Sequence, residues 1–398
     1  MYPPGSDTVL VRFSGEVGVK SRSLQRRMEV GVRENLDTML SRQGLEATIE
    51  YEHTRLYIRT EPEELDAVTE IASSVFGVTS VSPVVRVDPT LESLCEVLED
   101  TAQQQYTGGT FAVRARRAGQ KDAHPFSSTD IEREGGKAVF EALEESGIQP
   151  EVDLDDPDIT YGVECRPEAA FVYLETRAGP GGLPLGTQEP LVVLVSGGID
   201  SPVAAWEVMK RGCPIIPVYV DLGRFGGVDH RARAEQTVSR LTRYTPDGLA
   251  MWVVPGGEGL ERIVDATTRY RMLLTRRFML SIAAQVASET DAVGVVTGES
   301  IGQKSSQTSS ALAVTGAVTD YPVHRPLVSM DKSQITERAR AIGTYEESTI
   351  DAGCNRLAPE NPATQPPLEQ VRAVEPADIP AIVDSAVERR TLVELEYR

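Results

Sequence analysis

The sequence predicts an α/β protein of two kinds, with α+β units toward the N-terminus and a doubly wound parallel sheet in the C-terminal half. Three observations predict it. Thr8–Phe13 alternates like a strand, and Leu24, Met28, Val32, Leu36 and Leu40 follow at helical spacing. Leu191–Val195 is an unbroken apolar run that leads into a Gly turn and then a helix. Beyond it, strand and helix keep alternating with fully apolar strands, the pattern of a parallel sheet covered on both faces.

Taken in order, residues 1–87 read as a small α/β unit. A helix over 23–43, a strand pair at Ala47–Ile49 and Leu56–Ile58, and a helix at 62–75 fit a ferredoxin-like βαββαβ order. Residues 88–178 read as a second unit. Its elements are an acidic helix through Leu91, Leu94, Val97 and Leu98, a strand at Thr110–Arg116, a helix at 130–145, and strands near 158–164 and 170–176. The acids of 151–158 mark a solvated loop. Residues 179–187, rich in Gly and Pro, read as a linker. The doubly wound unit spans 188–358, with a helix at 201–211, a strand at Ile215–Val220, helices at 232–244 and 271–290, and a strand at 292–297. Residues 359–398 are acidic and Pro-rich, with one amphipathic stretch near Ile379–Glu388, and read as a surface appendage.

Composition narrows the setting. The 398 residues carry 60 Asp+Glu against 40 Lys+Arg, a formal charge of -20, yet 40% are hydrophobic, which argues for a folded chain rather than an acidic disordered one. No apolar run approaches the roughly 20 residues of a membrane helix, and MYPPGSDTVLVRF has no signal-peptide pattern. A cytoplasmic protein without a membrane partner is expected. Only six of the 40 basic residues are lysine. Excess carboxylate with little lysine is the composition of a protein hydrated in concentrated salt, so a halophilic source is expected. At such ionic strength the Debye length is a few Å, and local patches outweigh net charge in deciding partners. Cys95, Cys165, Cys213 and Cys354 form no C-x-x-C pair, so no zinc or cluster site is read and the metal set is empty. Cys95 and Cys213 read as packed apolar residues, and Cys165 lies on a strand.

Ser196-Gly-Gly-Ile-Asp-Ser201 is the sharpest motif. A buried strand enters it and a helix leaves it, so its amides and the helix dipole form an anion site suited to phosphate. Gly197 and Gly198 are expected to permit close approach and positive φ. Ser196 and Ser201 add hydroxyls. Asp200 fits such a site if it holds magnesium or fixes the loop. The loop is not a Walker motif.

The SGGIDS loop resembles the pyrophosphate loop of the PP-loop ATP pyrophosphatases. Further segments resemble one family among them, the tRNA 4-thiouridine synthetases (ThiI). These are Gly181–Thr187, Thr297–Thr308, Arg325–Lys332, Ile342–Thr344, and Phe111–Arg117 with His124–Ser128, the last pair similar to a THUMP RNA-binding domain. The resemblance implies an N-terminal ferredoxin-like domain, a THUMP domain and a PP-loop domain. It also implies ATP and Mg2+ as cofactors, and tRNA as partner. Carried over by position, it implies ATP contacts at Leu194, Val195, Ser196, Gly197, Gly198, Asp200, Ser201, Val220, Asp221, Arg276, Gly298 and Gln307. Arg276 stands where the family usually has lysine. Lys332 matches a lysine near the phosphates, and Cys354 matches the sulfur-handling cysteine, so Cys354, Asp200 and Lys332 form the implied catalytic set.

The implied reaction adenylates the 4-oxygen of uridine 8 in tRNA, and sulfur from a persulfide carrier protein or from sulfide then displaces AMP. Some members also pass sulfur toward the thiazole of thiamine, and members of this architecture are often homodimers. Two departures stand out. The residues after Ala358 are too few for the rhodanese-like domain of many bacterial members. Met272 and Thr275 occupy the positions of a cluster-binding cysteine pair found in some archaeal ones.

For RNA, Arg114, Arg116, Arg117 and Lys121 cluster in the THUMP-like strand and loop. Between Arg12 and Arg33, six basic residues against two Glu leave a local balance of +4. Rigid arginines suit phosphates and 2′-hydroxyls. The competing readings are another PP-loop enzyme of the tRNA 2-thiolation type, which would make no 4-thiouridine, and a non-catalytic THUMP RNA-binding protein, which would release no AMP.

Overall fold

The computed structural model describes residues 1–18, 20–52, 55–120, 123–226, 229–304, 307–348 and 363–396. The chain forms two compact units, Met1–Gly182 and Leu183–Arg398. The first holds strands β1 (Thr8–Phe13), β2 (Thr48–Glu52), β3 (Arg55–Arg59), β4 (Val78–Val87), β5 (Thr110–Arg117), β6 (Glu151–Val152), β7 (Ile159–Cys165), β8 (Ala170–Tyr173) and β9 (Arg177–Ala178). Its helices are α1 (Gly15–Gly18), α2 (Arg22–Arg42), α3 (Leu65–Ala72), α4 (Leu91–Gln105) and α5 (Ser128–Glu145).

Nine strands make one sheet, in the order β2-β3-β1-β4-β8-β7-β5-β6, with β9 on β4. β4 joins its two halves. Val78 and Ser80–Val84 pair with β1, and Val85–Val87 pair with β8. Each half keeps its own core. One gathers Val32, Leu36 and Leu40 of α2 with Val9, Val11 and Ile58. The other gathers Leu94 and Leu98 of α4 with Ile131 and Val139 of α5, over Phe111 and Tyr161. At the joint, Tyr57 stacks on Phe171 at 4.8 Å. α5 begins at a reciprocal cap, in which the Ser127 side chain accepts from the Asp130 amide and the Asp130 side chain accepts from the Ser127 amide. The expected solvated loop at 151–158 contains β6, a two-residue edge strand parallel to β5.

The second unit holds β10 (Leu191–Val195), β11 (Ile215–Asp221), β12 (Leu249–Pro255), β13 (Val295–Val296), β14 (Val323–His324) and β15 (Thr391–Leu395). Its helices are α6 (Asp200–Met209), α7 (His230–Leu241), α8 (Gly257–Ala266), α9 (Arg271–Ser288), α10 (Ser309–Gly316), α11 (Lys332–Ala341), α12 (Tyr345–Ser348), α13 (Leu368–Val374) and α14 (Ile379–Glu388). The sheet order is β14-β13-β10-β11-β12-β15. All neighbours are parallel except β15, which runs antiparallel to β12. The chain winds from β10 to β12 in one direction and returns to lay β13 on the other side of β10. That reversal opens a crevice at the carboxyl ends of β10 and β13, where open α/β sheets bind ligands.

The C-terminal segment corrects the reading of a surface appendage. Val371, Ile379, Ile382, Val383, Ala386 and Val387 are buried in one core with Leu273, Phe278 and Ile282 of α9, and β15 completes the sheet. Pro367 and Pro380 stand at the starts of α13 and α14, while the apolar residues of the segment meet a helix distant in sequence. Among the described residues no helix is long and apolar enough to cross a membrane.

Candidate active site

The crevice is built first by β10, whose apolar residues end at Val195, and by α6, which starts at Asp200. Ile199 stands at the helix N-cap and makes no side-chain cap bond, so the first amides of α6 are left for a ligand. The two serines hold the turn. The Ser196 amide donates to Ser201 Oγ at 2.9 Å, and the Gly198 amide donates to Ser196 Oγ at 3.3 Å. Neither Gly197 nor Gly198 has positive φ, which corrects that expectation. Gly197 is instead pressed by α7, where an added Cβ would stand 3.0 Å from Arg233 Cβ. Gly298, just after β13, lies against the start of α6, and a Cβ there would meet the Asp200 carbonyl carbon at 2.8 Å. Its lack of a side chain lets the chain after β13 meet the start of α6.

A cavity of about 210 Å³ lies at this junction. Leu194, Val220, Leu222, Met279 and Leu280 give it an apolar wall fit for a flat ring. Ser196, Asp200, Ser201, Arg276, Thr297, Gly298, Glu299 and Gln307 give it a polar one, and Val195 also lines it. Gln307 is buried, and its Oε1 has no hydrogen-bond partner among the described residues. Asp200 Oδ1 stands 3.4 Å from Lys332 Nζ, the first residue of α11, whose start is capped by Asp331. A carboxylate at a phosphate loop is therefore balanced by a cation from 132 residues away.

Of the residues singled out from sequence, Leu194, Val195, Ser196, Asp200, Ser201, Val220, Arg276, Gly298 and Gln307 come together on this cavity. Gly197 and Gly198 lie in the loop beside it. Asp221 does not line it, because its carboxylate accepts the Gly223 amide at 2.9 Å and shapes the turn after β11. Cys354 lies outside the described residues. Tyr219, His230, Glu299 and Arg325 were missed. Glu299 and Arg325 fall within matched segments, but only packing pairs them, with Arg325 Nε 2.9 Å from Glu299 Oε2.

In the first unit, Arg114 and Arg116 are exposed on the same face of β5. Arg114 donates to the Leu154 carbonyl. Arg117 is half-buried and donates to the Phe126 carbonyl at 2.8 Å, fastening the segment before α5. Lys121 lies outside the described residues. Arg22, Arg26, Arg27 and Arg33 are exposed on α2. Burial pushes the thiols of Cys95, Cys165 and Cys213 up, away from the thiolate that reactivity needs.

Comparison with known proteins follows the same lines. Residues 186–377 match the family described as Thiamine biosynthesis protein (ThiI), residues 89–175 the THUMP domain, and residues 8–82 the ThiI ferredoxin-like domain. A probable tRNA sulfurtransferase of Halobacterium salinarum is 52% identical over 377 residues, 94% of each chain. One from Methanosarcina acetivorans is 39% identical, over 89% of this chain and 86% of its own. Among solved structures, a 4-thiouridine synthetase in complex with RNA and bound ATP superposes with a TM-score of 0.81 at 30% identity, covering 98% of this chain and 100% of its own. The halophilic composition agrees with the Halobacterium relative.

Proposed function

The chain belongs to the ThiI family, and from that premise we propose that it is an ATP-dependent tRNA sulfurtransferase, a 4-thiouridine synthetase acting at uridine 8 of tRNA in the cytoplasm. The observation that carries this reading is the cavity at the sheet's reversal point, lined by Ser196, Asp200 and Ser201 of the SGGIDS loop and by Gly298, with Lys332 paired to Asp200.

In this reading the apolar wall of Leu194, Val220 and Met279 takes the adenine. The α6 amides, Ser196 and Ser201 take the phosphates, and Arg276 and Lys332 offset the charge that builds as the reaction proceeds. The 4-oxygen of the uridine attacks the α-phosphorus of ATP. The bridge to the β-phosphate breaks, and pyrophosphate leaves with the bonding pair. Sulfur then attacks C4, the C4–O bond breaks, and AMP departs with that oxygen. With sulfide the product forms directly. With a persulfide on Cys354, the terminal sulfur bonds to C4, and a second thiol must cleave the S–S bond to free 4-thiouridine. Asp200 fits a magnesium ion arriving with the nucleotide, since Mg2+ takes one or two carboxylates beside phosphate oxygens, and it would lower the charge of the departing pyrophosphate.

Arg114 and Arg116, with Lys121 and the exposed arginines of α2, are the proposed tRNA contacts. A persulfide carrier protein is the proposed donor, a homodimer the proposed assembly, and sulfur transfer toward thiamine thiazole a second use of the same chemistry. The domain limits proposed are 1–87 and 88–178, a linker at 179–187, and one domain from 188 onward that takes in the C-terminal segment whose core it shares. The test is to incubate the protein with unmodified tRNA, ATP, magnesium and sulfide in molar KCl, and to assay digested RNA for 4-thiouridine by mass spectrometry. Product with matching AMP release is expected. Absence of both would overturn the reading.

A further inference from the structure

Glu299 belongs to none of the site residues read from the sequence, yet it is buried on the cavity wall between two cations. Its Oε2 accepts from Arg325 Nε at 2.9 Å and from Thr297 Oγ1 at 3.1 Å. Arg325 is anchored in turn, its Nη2 donating to the Leu312 carbonyl at 3.2 Å and standing 3.5 Å from the Thr315 hydroxyl, both on α10. With Oε2 committed, Oε1 has no hydrogen-bond donor among the described residues and faces Arg276 Nε at 3.6 Å. The Arg276 and Arg325 side chains are only 16% and 15% exposed, so water screens their repulsion weakly.

We propose that Glu299 is a positioning residue for Arg276, holding its guanidinium at the cavity wall against Arg325 so that its planar fork meets the phosphates. The proposal rests on the ATP reading of the cavity. The restraint runs from α10 through Arg325 to Glu299 and from there to Arg276. It also gives a physical reason for arginine at a position where the resemblance leads one to expect lysine. The carboxylate stands 3.6 Å from the Nε edge of the guanidinium, an ion-pair distance, and its charge favours the orientation that turns that edge toward it, whereas an ammonium would answer it only as a point charge.

A double-mutant cycle tests this, with Arg276→Met, Glu299→Gln and the double variant. The KM for ATP and kcat of tRNA-dependent AMP release are measured in molar KCl, alongside Tm and tRNA affinity. Each single variant is expected to raise KM about tenfold, and the double variant no further, because the two residues act as one unit. Glu299→Asp, which keeps the charge one methylene back, is expected to give an intermediate KM. tRNA affinity is expected to be unchanged. Effects that multiply in the double variant would overturn the proposal alone. So would a Glu299→Gln variant with lower Tm but wild-type KM. An unchanged KM in Arg276→Met would overturn the ATP reading of this wall together with the proposal.

Discussion

At the residue scale, Asp200 and Lys332, the pair proposed to act on the nucleotide, contribute little to stability. Their side chains are 28% and 58% exposed, and an ion pair so open to solvent contributes about 0–1 kcal/mol. Lys332→Met is therefore expected to leave chemical denaturation within about 0.5 kcal/mol of wild type. It is expected to lower tRNA-dependent AMP release by about 10²-fold, the scale of losing one aimed charge in a phosphate site. Glu164 is the opposite case. It is buried and accepts from Arg166 at 2.6 Å, with Arg12 at 3.2 Å and Arg55 at 3.4 Å. Burial opposes its charge, but the Arg166 hydrogen bonds and the three guanidiniums outweigh burial and hold its carboxyl below the usual value of 4.5. A carboxyl depressed in the folded state stabilises the fold above its unfolded value and loses that contribution as pH falls through the folded one. The thermal midpoint is expected to drop as pH is taken below about 4.5. Glu164→Gln should lie lower at neutral pH and show a flatter acid limb. A variant curve parallel to wild type would show that this carboxyl is not what titrates.

At the element scale, most helices and strands were legible because each carries its own period. α2 declares its buried face by spacing, and β1, β3 and β10 are legible as short apolar runs, buried on both faces, without reference to anything else. β4 was legible only as the last strand of a ferredoxin-like order, and its second pairing, with β8, was not, since register is decided by the neighbour. The C-terminal segment was misread for a related reason. Its prolines and acids suit a solvated tail, while Glu375 in fact receives Arg277 through two bonds of 2.9 and 2.8 Å, and Arg277 also donates to the Val314 carbonyl at 2.9 Å. This ties α9, α10 and the C-terminal segment behind the wall that carries Arg276. Glu375→Ala leaves a buried guanidinium without its counter-charge and is expected to cost about 3 kcal/mol by urea denaturation. A loss under about 0.5 kcal/mol would mean that the segment is held by its apolar contacts alone.

At the scale of the whole molecule, a formal charge of -20 works against compaction in dilute buffer, because carboxylates repel across the surface until salt screens them. Tm is expected to rise steadily from 0.1 to 2 M KCl. A Tm that is flat or falling with salt would separate the acidic composition from any halophilic role. The exposed arginines of β5 and α2 stand on this acidic background as local patches, the condition under which an acidic protein can still engage RNA phosphates.

By itself the sequence determined the α/β class and the phosphate loop, because a loop between a buried strand and a helix is a local object whose amides point one way whatever surrounds it. Val220, Arg276, Gly298 and Gln307, far from that loop, were named only through the family resemblance. Tertiary structure alone decided the rest. It placed Lys332 against Asp200, set Glu299 between Arg276 and Arg325, drew Asp221 away into a turn, and put the C-terminal residues in the core. Each of these depends on segments far apart in the chain arriving within a few Å of one another, and periodicity records only that a face is buried, never what covers it.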